Sequence, residues 1–264
     1  MDSEVGASPA ITATCYTQSV SSTLRQFRLW EPVALLGGKE VSHNIQWLGH
    51  DVFKISSNGT VIYTDPFRLQ AGGDKADIVL ITHEHFDHFS PDDLAKIEKP
   101  DTVMVAPRSV ADKLVAETRS STAKLNGKKV EVVRPGDRLE VRGVPIEVTW
   151  AYNVNKFRSP GQPFHPKSHD YVGYVITVDG KRIYLAGDTD MIPEMSQIDV
   201  DIALLPVSGT YVMTADEAIE AANSAIKAKS YIPMHYNTLV GVEEDAKKFA
   251  AGVTRGKVEI LPQS

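Results

Sequence analysis

The chain has 264 residues, of which 42% are hydrophobic and 23% charged, a mix typical of a globular protein that buries a substantial core without disulfides. Its one cysteine, Cys15, excludes a disulfide within the chain and favours a reducing, cytoplasmic compartment. The formal net charge of −6 argues against nucleic acid or an anionic membrane as the main partner, and no apolar run approaches the roughly 20 residues of a membrane span.

The first forty residues differ in composition from the rest of the chain. Residues 1–22 are rich in Ser, Thr and Ala, which is typical of a poorly ordered terminal segment. We interpret residues 1–40 as an N-terminal extension that is partly disordered or packed on the core. Because no linker-like stretch interrupts the remainder, residues 41–264 are predicted to form one domain.

Short apolar or alternating runs that end at turn residues predict strands in the first half of this domain. These runs cover residues 45–48, 52–55, 60–63, 78–81 and 103–105. The run at 78–81 is continuously apolar, as expected for a strand buried on both faces. Ser90 and Pro91 suit the N-cap and the first position of a helix, and a second helix is predicted at 109–117.

The second half repeats this pattern of strands and helices. Strands are predicted at 130–133, 138–141, 146–150, 171–178, 182–185, 202–205, 231–232 and 258–261, and helices at 215–227 and 242–251. Thr214 is a candidate N-cap for the first of these helices. Two strand-rich halves, each with helices, predict an α/β (α+β) fold in which two sheets pack face to face with helices outside, a four-layer αββα sandwich.

The segment 83–88 reads His-Glu-His-Phe-Asp-His and directly follows the apolar run at 78–81. In an extended segment alternate residues point the same way, so His83 and His85 can share one metal ion. Asp87 and His88 lie on the following turn and can face a second ion. Imidazole and carboxylate ligands together suit zinc, iron or manganese.

This His-x-His-x-Asp-His motif after a buried strand resembles the signature of the metallo-β-lactamase superfamily, and the resemblance extends from about residue 44 to the C-terminus. Within the superfamily the chain is similar to stand-alone hydrolases related to ascorbate-6-phosphate lactonase. The resemblance implies the metallo-β-lactamase fold and a site with two metal ions. It also implies that Asp188 bridges both ions, with Asp190 as a nearby alternative, and that His235 is a ligand of the second ion.

One further histidine ligand is expected between His88 and Asp188, an interval that contains only His165 and His169. The Phe-His-Pro step around His165 is similar to that of the relatives we consider closest, which favours His165 and leaves His169 as the alternative. The predicted cage is therefore His83, His85 and His165 on one ion, Asp87, His88 and His235 on the other, and Asp188 between them.

The chemistry implied by such a cage is hydrolysis. Two divalent ions, most favourably Zn²⁺ with Mn²⁺ or Fe²⁺ as alternatives, would share a water, and one zinc already lowers the pKa of a bound water to about 7. The bridging hydroxide would attack an ester, lactone or phosphodiester, with Asp87 and Asp188 as catalytic residues and Asp87 orienting the proton. Because no serine or cysteine nucleophile motif is present, direct attack by water in a metal-dependent hydrolase is predicted.

Five further residues are predicted to support the site or to line its pocket. They are Asp65, His50, Lys156, Arg158 and Tyr211. Asp65 stands in an Asp-Pro step at which relatives use the aspartate to orient a histidine ligand. Lys156 and Arg158 belong to a basic loop and are candidates to bind an anionic group of a small-molecule substrate.

Two alternatives remain open on sequence alone. A mononuclear iron dioxygenase of the same fold would use a similar motif, although the intact His88 argues for two ions. A phosphodiesterase or nuclease that acts on nucleic acid is disfavoured by the acidic charge and by the absence of the large inserted domain of the superfamily's RNA nucleases. Assembly into a homo-oligomer is left open.

Overall fold

The computed structural model of the chain describes residues 44–120 and 129–264. The predictions for residues 1–40 lie outside these ranges, and the domain boundary near residue 40 stays a prediction. In the part of the chain that is described, no helix is long and apolar enough to cross a membrane.

The first sheet contains strands from the N-terminal half of the domain in chain order. They are β1 Asn44–Gly49, β2 Val52–Ser57, β3 Thr60–Thr64, β4 Ile78–Leu80, β5 Val103–Pro107 and β6 Lys129–Val133. The strands β1 to β3 pair antiparallel, and β3 to β6 pair parallel. Parallel neighbours bring their carboxyl ends to the same edge, which places the residues after β3 and β4 side by side.

Alternate residues of these strands face opposite layers, as the pleat of a strand requires. Ile62, Ile78 and Leu80 belong to the buried cluster that also contains residues of the second sheet. Tyr63 and Val79, one position along, pack in a separate cluster under α1 Pro91–Ile97 and α2 Arg108–Ser120. The predicted N-cap of α1 is confirmed, because the Ser90 hydroxyl accepts a hydrogen bond from the backbone N–H of Asp93 at 3.3 Å.

The second sheet has the order β15-β14-β13-β12-β11-β8-β7, and a small hairpin, β9 and β10, lies apart from it. The strands are β7 Arg138–Val141, β8 Val144–Trp150, β9 Phe157–Ser159, β10 Gln162–Pro163, β11 Val172–Val178, β12 Lys181–Leu185, β13 Asp199–Pro206, β14 Lys227–Met234 and β15 Lys257–Val258. The strands β7, β8, β11 and β12 pair antiparallel, and β12 to β15 pair parallel. The predicted last strand at 258–261 is wrong in its extent, since only β15 pairs with β14.

Two helices cover the outer face of the second sheet, α3 Ala215–Glu220 and α4 Glu243–Gly252. Thr214 caps α3 as predicted, and its reciprocal partner is Glu217. The helix predicted to run to residue 227 is wrong at its end, because α3 continues only as a π-helical turn over Ala221–Ala225. The hydroxyl of Tyr231, in β14, contacts the carbonyls of Ala222 in this turn and of Ile226 directly after it, which holds the end of the turn against the sheet. The described layers are helices, sheet, sheet and helices, so the four-layer sandwich is confirmed.

The carboxyl ends of β3, β4, β12 and β14 carry the polar residues predicted to form the site. Asp65 follows β3, His83 comes soon after β4, Asp188 follows β12 and His235 follows β14. The hydroxyl of Tyr174, in β11, donates to the carbonyl of Ile81 at 2.7 Å and so holds the two sheets together beside this edge. Ligand sites in sheets with parallel strands commonly lie at such carboxyl ends.

Candidate metal centre

The first group of predicted ligands comes together as the sequence predicts. One ring nitrogen from each of His83, His85 and His165 lies within 4.8 Å of the other two. The Nε2 of His83 is 3.0 Å from the Nδ1 of His85. His169 is not part of this group: it is exposed, and its Nδ1 is 3.1 Å from the hydroxyl of Tyr171. The structure therefore brings His165, and not His169, to the position expected of the third histidine.

The second group also comes together, and it contains one histidine more than the predicted cage. Ligand atoms of His50, Asp87, His88 and His235 all lie within 4.8 Å of one another. His50 is completely buried, and its Nε2 is 3.2 Å from the Oδ2 of Asp87. His50 follows β1 on the turn to β2, so this turn reaches into the site.

The carboxylate of Asp188 lies between the two groups. Its Oδ2 is 3.3 Å from the Nε2 of His165, and its Oδ1 is 3.4 Å from the Nε2 of His88 and 3.3 Å from the Nε2 of His235. Asp190 instead accepts hydrogen bonds from the backbone N–H of residues 154 and 155 at 2.7 and 2.8 Å, so it supports a loop. Of the two aspartates, only Asp188 is placed to contact both groups.

The central atoms of this cluster fit a cation. The Nε2 atoms of His88, His165 and His235 and the Oδ1 of Asp188 are buried, and none has a hydrogen-bond partner within residues 44–120 and 129–264. Buried polar atoms are almost always paired, so a set of unpaired atoms around one carboxylate indicates an additional ligand-binding role. Lone pairs of imidazole and carboxylate are the donors that zinc, iron and manganese take.

Hydrogen-bond acceptors contact two of the rings, His88 and His165, on the nitrogen that faces away from the centre. Asp65 Oδ2 is 2.9 Å from the Nδ1 of His88, and its Oδ1 accepts from the backbone N–H of Thr82 at 2.7 Å. Asn153 Oδ1 is 2.9 Å from the Nδ1 of His165. Because both partners are acceptors, the neutral form of each of these two rings carries its proton on Nδ1 and directs the lone pair of Nε2 at Asp188. Such partners orient ligands and raise their basicity.

The electrostatics of the cluster favour positive charge at its centre. Burial lowers the pKa of His50 and of His165 to about 4, which keeps both rings neutral. Burial opposes ionisation of Asp87, yet the hydrogen bond from His50 and the neighbouring imidazoles outweigh it and lower the pKa of Asp87 to about 2. The pKa of His88 is raised well above its usual value because the carboxylates around it, Asp188 first, outweigh its burial. A metal ion must therefore displace a proton from His88 when it binds.

Backbone strain is concentrated around the cluster. His50, Asp65, Tyr211 and His235 have φ angles of 51°, 38°, 70° and 59°. Each such residue costs on the order of 1–3 kcal/mol, and such strain is found preferentially at functional sites. Gly187 also has a positive φ, 67°, and a Cβ built there would lie 3.0 Å from a backbone oxygen. Only glycine fits this close approach directly before the central aspartate.

A cavity of about 380 Å³ opens onto the cluster. Its lining comprises His85, Phe86, Asp87, Arg158, Phe164, His165, Asp188 and Tyr211. The guanidinium of Arg158 lies 5.7 Å from the ring centroid of Phe164, which packs edge-on against Tyr211 at 4.7 Å. The lining of this cavity therefore combines aromatic surface with one cation, Arg158.

Lys156 does not line this cavity. Its ammonium is 2.7 Å from Glu217 Oε2 and 3.5 Å from Asp190 Oδ1. The charge of Lys156 is thus neutralised within the protein, and it ties the loop to the start of α3. Of the two cations predicted in this loop, only Arg158 lines the cavity.

Sequence reasoning missed three residues of the site. Asn153 orients His165, Ser208 Oγ is 3.0 Å from the Nδ1 of His235, and Asp51 is completely buried beside His88 with its Oδ2 4.0 Å from Nδ1. Burial raises the pKa of Asp51 to about 7. Asn153 and Ser208 act across 12 and 27 positions of the chain, and no local pattern marks them. Asp51 directly follows His50 and reads as an ordinary polar turn residue.

Comparison with known proteins gives matches over most of the chain. A family model for the beta-lactamase superfamily domain matches residues 44–235. A UPF0173 metal-dependent hydrolase of Thermoplasma volcanium is 34% identical over 235 residues, which cover 83% of this chain and 95% of that protein. A solved structure assigned as a metal-dependent hydrolase, from Parabacteroides distasonis, is 33% identical with a TM-score of 0.67 and covers 83% of this chain and 93% of the other. Igni18, a metallo hydrolase of Ignicoccus hospitalis, shares the fold at 24% identity, with a TM-score of 0.62 over 83% of this chain and 95% of its own.

Proposed function

Because the chain belongs to the UPF0173 metal-dependent hydrolases of the metallo-β-lactamase superfamily, we propose that it hydrolyses a small anionic substrate at a site that holds two divalent metal ions. The observation that carries the proposal is the convergence of unpaired, buried donor atoms on Asp188. The carboxylate has one oxygen toward each histidine group, so it can bind two cations and reduce their mutual repulsion.

The residues divide between two ions in the proposed site. His83, His85 and His165 would hold the first ion, and Asp87, His88 and His235 the second, with Asp188 shared between them. When bound, the ions would lower the pKa of a water and polarise the oxygen of the bond under attack. Zn²⁺ suits the three histidines of the first position, and Mn²⁺ or Fe²⁺ are alternatives.

The protein's own groups prepare the site for this chemistry. Asp65 and Asn153 keep the lone pairs of His88 and His165 turned toward the centre. Asp87 remains ionised because its pKa is about 2, and it borders the cavity, so it can accept or orient a proton next to the substrate. Ser208 contacts His235 on the side away from Asp188 and outside the cavity lining, so it orients this ring and does not act as a nucleophile.

The cavity supports an anionic substrate with an apolar part. Phe86, Phe164 and Tyr211 offer aromatic surface, and Arg158 offers a cation that makes no ion pair with any residue in the described ranges. Such a substrate is an ester, lactone or phosphodiester that carries a negative group. A phosphorylated lactone, as implied by the resemblance to ascorbate-6-phosphate lactonase relatives, carries both features. The net charge of −6 and the single cysteine support a cytoplasmic enzyme without nucleic-acid or membrane partners.

Metal content tests the proposal most directly. Elemental mass spectrometry of the purified protein should give about two ions per chain, and the double variant His83→Ala/Asp188→Ala should bind neither. A matched double variant, His169→Ala/Asp190→Asn, changes the same residue types outside the cluster and should keep both ions. About one iron per chain would instead favour a mononuclear oxygenase, and no metal after reconstitution with zinc, manganese and iron would refute the proposal.

The substrate class is tested by the charge at position 158. Replacement of Arg158 by glutamine should raise the KM for bis(p-nitrophenyl) phosphate about 10-fold, the lower range for a lost charge-assisted hydrogen bond at an exposed site. The KM for the neutral ester p-nitrophenyl acetate should stay unchanged. The same substitution at Arg138, an exposed residue of β7 outside the cavity, is the control. An equal change for both substrates would contradict anion recognition by Arg158.

A further inference from the structure

The turn between β1 and β2 carries a second buried group beside the site, the carboxylate of Asp51. The side chain is completely buried, and its backbone carbonyl accepts a hydrogen bond from the hydroxyl of Thr64 at 2.6 Å, which fixes the turn. Neither carboxylate oxygen has a hydrogen-bond partner among the residues that the structure describes. Burial of a carboxylate without partners is strongly unfavourable, so its position calls for a compensating positive group.

Within the described residues, no protein group offers this carboxylate a hydrogen bond. The closest ring nitrogen, Nδ1 of His88, is 4.0 Å away, too far for a hydrogen bond, and it is already bonded to Asp65 at 2.9 Å. A cation bound toward the centre of the cluster, on the side of Asp188 and His235, would compensate the carboxylate directly. On that side of Asp51, Asp188 Oδ1 and His235 Nε2 also lack hydrogen-bond partners among the described residues.

A carboxylate oxygen of Asp51, one of Asp188 and a ring nitrogen of His235 all lie within 4.8 Å of one another. Asp188 Oδ1 and His235 Nε2 are 3.3 Å apart, and both lack hydrogen-bond partners within the described ranges. Metal–ligand distances of about 2.0–2.2 Å place two ligand atoms of one ion up to roughly 4.4 Å apart. Three ligand atoms around one ion lie roughly 3.4–3.6 Å apart, so Asp51 needs to approach by at most about 1 Å for the three atoms to share an ion.

We propose that Asp51 supplies a carboxylate oxygen to the second metal ion, beside Asp188 and His235. The inference rests on the proposed two-ion site and adds a ligand to one half of it. The second ion would then be surrounded by three carboxylates, those of Asp51, Asp87 and Asp188, whereas the first has three histidines and a share of Asp188. Oxygen-rich sites favour Mn²⁺ and Fe²⁺ relative to zinc, so the two positions would differ in metal preference.

Metal affinity of the isosteric variant Asp51→Asn tests this assignment. The metal-free protein is titrated with Mn²⁺ and followed by electron paramagnetic resonance, and with Zn²⁺ by calorimetry. The wild type should bind two ions, and Asp51→Asn should bind its second Mn²⁺ at least about 100-fold more weakly, the upper end of what loss of a ligand's hydrogen-bonding partner costs. The loss should be smaller for Zn²⁺, and the first ion should bind as in the wild type.

Two further variants separate a ligand role from a structural one. Asp51→Ser removes the carboxylate without adding bulk and should weaken the second ion equally. Asp77→Asn removes a different buried carboxylate, one that is bonded to Lys99 and to the backbone N–H of Val61, and it should leave both metal affinities unchanged. In the absence of metal, Asp51→Asn should unfold at the same or a higher temperature than the wild type, because it removes an unpaired buried charge.

The outcomes distinguish this inference from the proposed function. If the wild type binds two ions and Asp51→Asn binds both with unchanged affinity, Asp51 is not a ligand and the two-ion site stands. A lower unfolding temperature of the metal-free variant together with unchanged affinities would likewise overturn the ligand role and make Asp51 a structural residue. Fewer than two ions in the wild type would overturn both.

Discussion

Asp65 offers a sharp test of how the site is oriented, because it touches no substrate and yet holds His88 in place. Its carboxylate is completely buried and accepts from the backbone N–H and the hydroxyl of Thr82, both at 2.7 Å, and from Nδ1 of His88 at 2.9 Å. Replacement of Asp65 by asparagine keeps the shape but turns one acceptor into a donor. If the amide oxygen stays with the backbone N–H of Thr82, the NH₂ group faces Nδ1 of His88.

This exchange should reverse the tautomer of His88. Nδ1 would have to accept the new N–H, so in the neutral ring, the form that binds a metal, the proton would lie on Nε2, the atom that is 3.4 Å from Asp188 Oδ1. The lone pair needed by the second ion would then be absent until the ring rearranges. Loss of such a partner typically lowers metal affinity 10–100-fold, or by about 1.4–2.7 kcal/mol.

Calorimetric titration of the metal-free Asp65→Asn variant gives the affinity, and the ¹⁵N chemical shifts of the His88 ring report the tautomer. Asp93→Asn is the matched control, since Asp93 is also buried and accepts backbone N–H groups from Arg68 and Leu69, but lies outside the cluster. It should change stability without changing metal affinity. A second-ion affinity within twofold of the wild type in Asp65→Asn, with the proton still on Nδ1 of His88, would refute the reasoning.

Single replacements of His165 and His235 by alanine should each leave about one ion per chain by elemental mass spectrometry, and retention of two ions by either variant would contradict the division of ligands. Gly187→Ala should lower the free energy of unfolding of the metal-free protein by roughly 2–4 kcal/mol in urea. Residue 187 has a φ of 67°, and a Cβ there would lie 3.0 Å from a backbone oxygen. A loss below about 1 kcal/mol would be inconsistent with this strain. Burial opposes ionisation of Glu217, but Lys156 and the backbone N–H of Thr214 outweigh it and lower the pKa of Glu217 from 4.5 to about 2. The stabilisation by the ionised carboxylate is therefore complete above pH 4.5 and is lost as the pH falls through 2. The difference in unfolding free energy between the wild type and Glu217→Gln should therefore shrink from about 1–2 kcal/mol at pH 6 to near zero at pH 2, and a difference independent of pH would show that the ionised carboxylate is not responsible.

Many of the residues that come together in the site could be predicted from the sequence, because short local patterns mark them. The motif at 83–88 places four donors on one short segment after a buried strand, and that strand is recognisable from its continuous apolar run. Asp188 and His235 each follow a strand, and the carboxyl ends of parallel strands meet at one edge of a sheet. The resemblance to the metallo-β-lactamase superfamily indicated which later residues belong with this motif. The periodicity of apolar residues alone does not give that information. Helix starts were equally local, since Ser90 and Thr214 cap the residues directly after them.

Helix and strand ends were less predictable, because distant contacts decide them. The segment after α3 has helical composition, but Tyr231 binds its carbonyls and the chain turns early into β14. The position of the Lys156 side chain also depends on a contact with a residue distant in the sequence. The loop is basic in sequence, yet Glu217, 61 positions away, neutralises Lys156 and leaves only Arg158 at the cavity.

The sequence by itself determined the chemistry available to this protein, namely histidines and aspartates at strand ends in an order typical of a two-metal hydrolase. Only the tertiary structure decided which of two neighbouring candidates faces the centre, His165 in place of His169 and Asp188 in place of Asp190. It also revealed Asp51, whose meaning comes from burial beside atoms far away in the chain. The physical reason is that residue type and local pattern specify donors, whereas burial and the pairing of each polar atom depend on segments that meet only when the two sheets pack.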